Sequence, residues 1–131
     1  MDPVLELQSA IIQRLRSFPA VTDLVGQKIA DIPKQEWTRP YISIGPSNYI
    51  TEDVDCIYGG EVMIQIDAWS DAGVMTEVRT IADAVRKAFR SHEFPLTANA
   101  LVAFDHWRTD YIVDGALKHA SVRFTAIVEQ P

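Results

Sequence analysis

The sequence has 131 residues, the usual length of one domain, and is long enough to bury roughly two-thirds of its unfolded surface. Its 12 basic and 18 acidic side chains give a net charge of −6, which argues against sequence-independent binding to a phosphate backbone. The lone Cys56 excludes an intrachain disulfide framework and fits a reducing compartment, and the first residues predict neither an export signal nor a membrane-spanning helix.

The chain opens with the pattern of an amphipathic helix. Asp2 is predicted to cap it, and Pro3 suits a first helical position, where a missing N–H is tolerated. The segment AVTDLVG predicts a further short helical turn ending at Gly26, and KIADIP predicts a brief extended piece. Apolar residues recur along the helix in steps of three and four: Val4, Leu7, Ile11, Leu15 and Phe18.

Strand patterns fill the middle of the chain. YISIG predicts a short strand that Gly45 and Pro46 end, whereas SNYITEDVDCIYGG mixes strand formers with acids. EVMIQIDAW alternates regularly, which predicts an antiparallel strand with one solvated face. Its apolar face is formed by Val62, Ile64, Ile66 and Ala68, and its other face by Glu61, Met63, Gln65, Asp67 and Trp69.

A second helix and a hairpin complete the pattern. SDAG is predicted to supply a capping residue and a turn, and Asp114-Gly115 is a strong signal for a hairpin between the last two strands. The order α-β-β-β-α-β-β predicts an α+β fold in which two main helices cover one face of a mostly antiparallel sheet, with a C-terminal β-hairpin. The predicted inward stripe of the second helix consists of Val78, Ile81, Ala82, Val85 and Phe89. In the last strand, the residues predicted to share an apolar face are Ala120, Val122, Phe124, Ala126 and Val128.

The residue types that perform catalysis or bind metals form no recognisable motif. The spacing of His92, His106 and His119 fits no common metal-binding pattern, and Cys56 follows acidic rather than basic neighbours. We therefore interpret Cys56 as a small buried residue, and we expect no catalytic residue, cofactor or metal. Gly59-Gly60 is interpreted as a turn rather than a phosphate loop.

Large aromatic residues fall at positions that alternate toward the outer faces of strands. Tyr and Trp are enriched at protein contacts, although a buried ring with a bonded polar tip is the equal alternative. Trp69 is out of phase with Ile64 and Ile66, so it either begins a turn or points to a partner. The candidate interface residues are Tyr49, Tyr58, Trp69, His92 and Phe94.

The order of these elements resembles a known family, the small tail-completion proteins of bacteriophages and prophages, which are similar to tail terminators and also occur in gene transfer agents. The resemblance covers nearly the whole chain. It is carried by LELQSAIIQRL, by LVGQKIADIPKQ leading to RPYISIG, by EVMIQIDAWSDAGVMTEVRTIADAVRKAF and by VRFTAIVEQ.

The resemblance implies a virion structural protein that is not an enzyme, with residues 1–131 as a single tail-terminator-like domain. Such subunits form a ring, a hexamer by this resemblance, at the head-proximal end of the tail tube, and they join the tail to the head. The implied partners are other copies of the chain, the tail tube protein and head-tail connector proteins, with assembly in the bacterial host cytoplasm and location in the virion tail.

Further expectations concern the contact elements and DNA. Loops at 46–60 and 91–100 are candidates for the ring contacts, because a head-to-tail ring joins two different patches of each subunit. The net negative charge suits a lumen through which DNA passes without being held, so neither specific nucleic-acid binding nor a membrane partner is expected.

Two alternatives remain open from the residues alone. The first is a small-molecule-binding or hydrolytic α+β domain that uses a pocket between sheet and helices, with Asp105, His106 and His119 as its polar groups. The second is an interaction domain that dimerises through an exposed sheet edge.

Overall fold

The computed structural model describes residues 1–90 and 94–131, which form three helices and five strands. The α+β class, the mostly antiparallel sheet and the C-terminal hairpin predicted from the sequence are confirmed. The elements are α1 (Pro3–Arg16), α2 (Pro19–Val25), β1 (Ile29–Ala30), β2 (Tyr41–Thr51), β3 (Tyr58–Ser70), α3 (Thr76–Ala88), β4 (Ala100–Asp114) and β5 (Leu117–Gln130).

One sheet contains all five strands in the order β1-β2-β3-β5-β4. Only the short β1 runs parallel to its neighbour, and it pairs with just Ile42 and Ser43 of β2. The other neighbours are antiparallel, with β3 and β5 in the centre and β4 at the far edge. The two edges of the sheet are therefore different in length and in sequence.

The core lies between the helices and one face of the sheet. Helix α3 contacts β3, β4 and β5, and α1 contacts β1 and β5. The predicted inward stripe of the second helix is buried, as are the predicted apolar faces of β3 and β5. Because these faces follow the helical and strand periods, the pattern alone located most of the core.

Aromatic rings fill the part of the core nearest β4. The ring of Phe124 on β5 stacks on that of Phe104 on β4, with 4.8 Å between centroids, and meets Phe89 at 5.3 Å. Phe94 completes the cluster at 4.8 Å from Phe104 and 5.1 Å from Phe89. These contacts fix the edge strand β4 and the chain that precedes it against α3.

The helix starts differ in how they are capped. Asp2 caps α1 as predicted, because its side chain accepts a hydrogen bond from the N–H of Val4 at 2.9 Å. The prediction that SDAG caps the next long helix is wrong: the N-cap of α3 is Met75, which makes no side-chain cap. The hydroxyl of Ser70 instead donates to the carboxylate of Glu77 at 2.6 Å and so ties the end of β3 to the first turn of α3.

Strand β2 is longer than predicted, because Gly45 and Pro46 do not end it. The register with β3 shifts between Ile44 and Ser47, so a bulge accommodates the proline, which has no N–H to donate. A Cβ atom at Gly45 would collide with the carboxylate of Asp67, which explains the glycine there. The predicted hairpin between β4 and β5 is present, with Gly115 in its loop at φ 59°.

A buried carboxylate holds the segment before β4. Glu6 on α1 is 8% exposed and accepts hydrogen bonds from the N–H groups of Thr97, Ala98 and Asn99 at 3.1, 2.8 and 2.9 Å. The bond from Ala98, supported by those from Asn99 and Thr97 and opposed by burial, lowers the pKa of Glu6 from 4.5 to about 2. The ionised form is thus the one that the fold stabilises.

We predict that Glu6→Gln lowers the free energy of unfolding at neutral pH. The folded pKa lies below the ordinary value, so the stabilisation is complete above about pH 4.5 and is lost as the pH falls through about 2. In urea titrations at several pH values, the difference in unfolding free energy between wild type and variant is therefore expected to narrow as the pH falls from about 4.5 to about 2. Glu36→Gln, at an exposed position, serves as control. Parallel curves for wild type and Glu6→Gln at every pH would contradict this assignment.

We also predict that Phe124→Ala costs about 3–5 kcal/mol of unfolding free energy, because it leaves a cavity among closely packed rings. The side chain of Phe124 is 1% exposed, whereas Ile127 on the same strand is 38% exposed and faces outward. Ile127→Ala is the matched control and is expected to cost far less. Urea denaturation followed by tryptophan fluorescence measures both, and equal losses would contradict the described core.

Candidate assembly interface

The hairpin between β2 and β3 extends beyond the rest of the sheet. We call residues 50–58 the arm. All nine of its residues are exposed, including Ile50 (60%), Val54 (60%), Ile57 (56%) and Tyr58 (57%). Exposed apolar groups of this size in one short segment are typical of a contact surface.

Hydrogen bonds give the arm a defined shape. The N–H of Glu52 donates to the carbonyl of Gly59 at 2.8 Å, and Val54 and Ile57 exchange two backbone hydrogen bonds at 3.0 and 2.8 Å. Cys56 lies in the turn between that pair and is exposed, so the prediction that it is buried is wrong. Beside this turn, Cys56, Ile57 and Tyr58 line a pocket together with residues 97–100 and 129–131.

The arm is strongly acidic. It contains Glu52, Asp53 and Asp55, and no Lys or Arg occurs anywhere between residues 41 and 78, where seven acids occur. The next segment is the opposite: residues 79–90 contain four basic side chains and one acid. The net charge of the chain thus conceals two oppositely charged regions, one on the β2–β3 hairpin and one on α3.

The second surface lies where α3 meets the edge strand β4. Arg86 donates to the hydroxyls of Thr109 and Tyr111 at 3.1 and 3.3 Å, and the guanidinium of Arg79 lies 4.4 Å from the ring centroid of Tyr111. Strand β4 adds the exposed Val113 next to these contacts. We call this surface the α3–β4 flank; it comprises Arg79, Arg86, Lys87 and Val113.

Strand β4 leaves one backbone edge unpaired, but that edge is irregular. Its register with β5 shifts between Leu101 and Ala103 and again between His106 and Arg108. Such bulges interrupt the regular row of donors and acceptors that another strand would need. They also turn Trp107, which is 55% exposed, out of the regular alternation.

The outer face of the sheet carries a buried polar network instead of the predicted solvated face. The carboxylate of Asp67, 5% exposed, accepts from Gln65 at 2.7 Å and lies 2.6 Å from Nε2 of His119. Arg123 donates to the side-chain oxygen of Gln65 at 3.1 Å. These side chains lie against one another, so their polar groups are buried on the face opposite to the three helices of the described residues.

Trp69 belongs to this network. Its ring stacks on that of His119, with 3.9 Å between centroids and planes 8° apart, and its Nε1 donates to the hydroxyl of Ser43 at 2.9 Å. Trp69 thus lies within β3 rather than at the start of a turn, and its ring and its N–H both have partners within the chain.

The predicted interface residues occupy different environments. Tyr58 is exposed in the arm, Tyr49 and Trp69 are half-buried, and Phe94 is 7% exposed within the aromatic cluster. His92 lies outside the described residues. Among the four candidates that the structure describes, Tyr58 is the one that is more than half exposed.

The polar groups of the alternative pocket do not come together. His106 lies 2.8 Å from the hydroxyl of Thr109 and contacts the Phe124 ring on the helix side, whereas His119 lies on the outer face. Burial, with a smaller effect of the Arg86 guanidinium, lowers the pKa of His106. The two histidines thus lie on opposite faces of the sheet, which removes the basis of a shared site with Asp105 in a pocket between sheet and helices.

Within residues 1–90 and 94–131, no group of three or more His, Cys, Asp or Glu side chains is arranged to hold a metal ion. No helix in the same ranges has the length and apolar character needed to cross a membrane.

Comparisons with known proteins decide the family. The model of the family described as tail completion protein gp17 matches residues 9–129. The chain belongs to this family. This tail completion protein is thus a structural protein of the phage tail type and a virion component, which confirms the resemblance inferred from the sequence.

A solved structure agrees with the assignment. A chain in the "Virion of native gene transfer agent (GTA) particle" has a TM-score of 0.86 and 26% sequence identity to this tail completion protein. The match covers 94% of each chain. No curated protein matches the chain.

The arm lies within the segment 46–60 that the sequence analysis names as a candidate contact, and its charge is a further signal. The lack of any basic residue between positions 41 and 78 marks the whole β2–β3 hairpin as acidic. The buried outer-face network had no such signal, because its members, such as Asp67 and His119, are far apart in the sequence.

We predict that Asp67→Ala costs about 1–3 kcal/mol of unfolding free energy, because it leaves buried donors on Gln65 and His119 without their acceptor. Asp71→Ala, at an exposed position four residues later, is expected to change the free energy of unfolding little. Urea denaturation at pH 7 measures both. An Asp67→Ala variant as stable as Asp71→Ala would show that the network contributes no net stability.

Proposed function

We propose that this protein forms a ring at the head-proximal end of the tail tube and joins the tail to the head. The ring consists of copies of the chain, six by resemblance to tail terminators, each acting as one domain. Its further partners are the tail tube protein and head-tail connector proteins, and its role is structural rather than enzymatic. Assembly takes place in the host cytoplasm.

The observation that carries the proposal is the family match over residues 9–129. The high similarity to a chain of a gene transfer agent virion supports it, because that chain is itself part of an assembled particle. The ring and its position are inferred from the family and from the two surfaces described above.

The molecule supports a ring through its two unlike surfaces. A cyclic ring joins one patch of a subunit to a different patch of the next, with a rotation that closes. The arm and the α3–β4 flank differ in charge and shape, as such a contact requires. The candidate contacts inferred from the sequence remain proposals, and Tyr58 is the best placed of them because it belongs to the arm.

The test is the native mass of the purified protein by light scattering over a concentration series, with negative-stain images of the protein alone and mixed with tail tubes from the same virion. We expect a closed ring, either free in solution or formed on tube ends. Tubes without the protein are the control. A monomer or dimer that ignores tube ends at all concentrations would refute the proposal.

A further inference from the structure

Much of the apolar surface of the arm is exposed to solvent. Four of its large apolar side chains are more than half exposed: Ile50, Val54, Ile57 and Tyr58. Its backbone hydrogen bonds nevertheless hold a fixed hairpin shape. A preformed projection of this kind loses little conformational entropy when it binds, which suits it to a contact between proteins.

Charge indicates what the arm contacts. Two arms placed together would bring two sets of the same acids, Glu52, Asp53 and Asp55, into one interface, and like charges in contact weaken association. An arm-to-arm dimer is therefore disfavoured. The α3–β4 flank offers the complementary charge, with Arg79 and Lys87 exposed on α3.

The flank also offers an exposed apolar group. Val113 is 61% exposed and follows the Arg86 contacts with Thr109 and Tyr111 along β4. The arm and the flank thus both combine exposed apolar surface with a net charge. That charge is negative on the arm and positive on residues 79–90, where the one acid, Asp83, pairs with Lys87 at 2.7 Å. The bulges of β4 favour side-chain contact with this surface over a continuous backbone ladder.

The arm and the flank lie in different parts of the sheet. The arm continues β2 and β3, whereas the flank includes β4, which lies at the edge of the sheet opposite to β1 and β2. Two complementary patches on different parts of one subunit make a head-to-tail contact.

We propose that the acidic arm of one subunit binds the basic α3–β4 flank of the next copy of the chain. This inference rests on the proposed ring and specifies the contact that closes it. Each subunit then contributes its arm to one neighbour and its flank to the other.

Cross-linking from the native thiol tests this contact directly. Cys56 is the only cysteine and is exposed in the arm. In Val113→Cys a second thiol stands on the flank with all charges retained. We expect a short bismaleimide to give a ladder of covalent oligomers up to the size of the ring. Ile32→Cys, 76% exposed in the β1–β2 connection, is the matched control and is expected to give no such ladder.

A charge exchange provides the second test. Glu52→Lys is expected to raise the protein concentration needed for ring assembly by about tenfold or more, through repulsion from the flank. Combining it with Lys87→Glu in the same chain is expected to restore assembly, because attraction returns with both signs reversed. Glu36→Lys controls for the change in net charge, and assembly of the wild type is expected to weaken with added salt.

The possible failures are distinguishable. If the wild type forms rings but Val113→Cys gives no more ladder than Ile32→Cys, the arm contact is wrong and the ring proposal stands. Covalent dimers linked between two Cys56 residues in wild-type rings would likewise overturn it in favour of arm-to-arm contact. If the wild type forms no ring either alone or on tube ends, the proposed function fails, and the arm contact fails with it.

Discussion

The antiparallel pairing of β3 with β5 decides which side chains of the sheet face the core and which face outward. It runs without interruption from Tyr58 opposite Gln130 to Ser70 opposite Lys118. A shift of one residue would turn every side chain of one strand to the other face. The apolar side chains of that strand would then face away from the helices. Burial of the core therefore selects this register.

The same register sorts the polar groups of the outer face. Asp67 lies opposite Ser121, and Trp69 lies opposite His119, so a carboxylate, an imidazole and an indole meet over the centre of the sheet. No helix of the described residues covers this face, and these side chains shield one another from solvent. The carboxylate of Asp67 is engaged by the side chains of Gln65 and His119, which is typical of a structural rather than a reactive group.

Elements that leave the central pair become the surfaces for assembly. The pairing of β3 with β5 ends at Tyr58 and Gln130, and residues 50–58 are exposed with their apolar groups in solvent. At the opposite edge, β4 is anchored by Phe104 against Phe124 while its bulges expose Trp107. A rigid centre with two exposed margins is a natural subunit for a head-to-tail assembly.

The fold class, the family and the inward faces of α3, β3 and β5 could be predicted from the residues alone, because each follows from short-range periodicity or from the order of such patterns. The extension of β2 through Gly45 and Pro46 could not be predicted in this way, since the bulge depends on the approach of Asp67 from the neighbouring strand. The folded structure was needed to show that His106 and His119 lie on opposite faces of the sheet. It was also needed to show that Cys56 is exposed and that Phe94 is buried. Their environments are set by which strands become neighbours and where the sheet ends, and neither is encoded in the residues next to them.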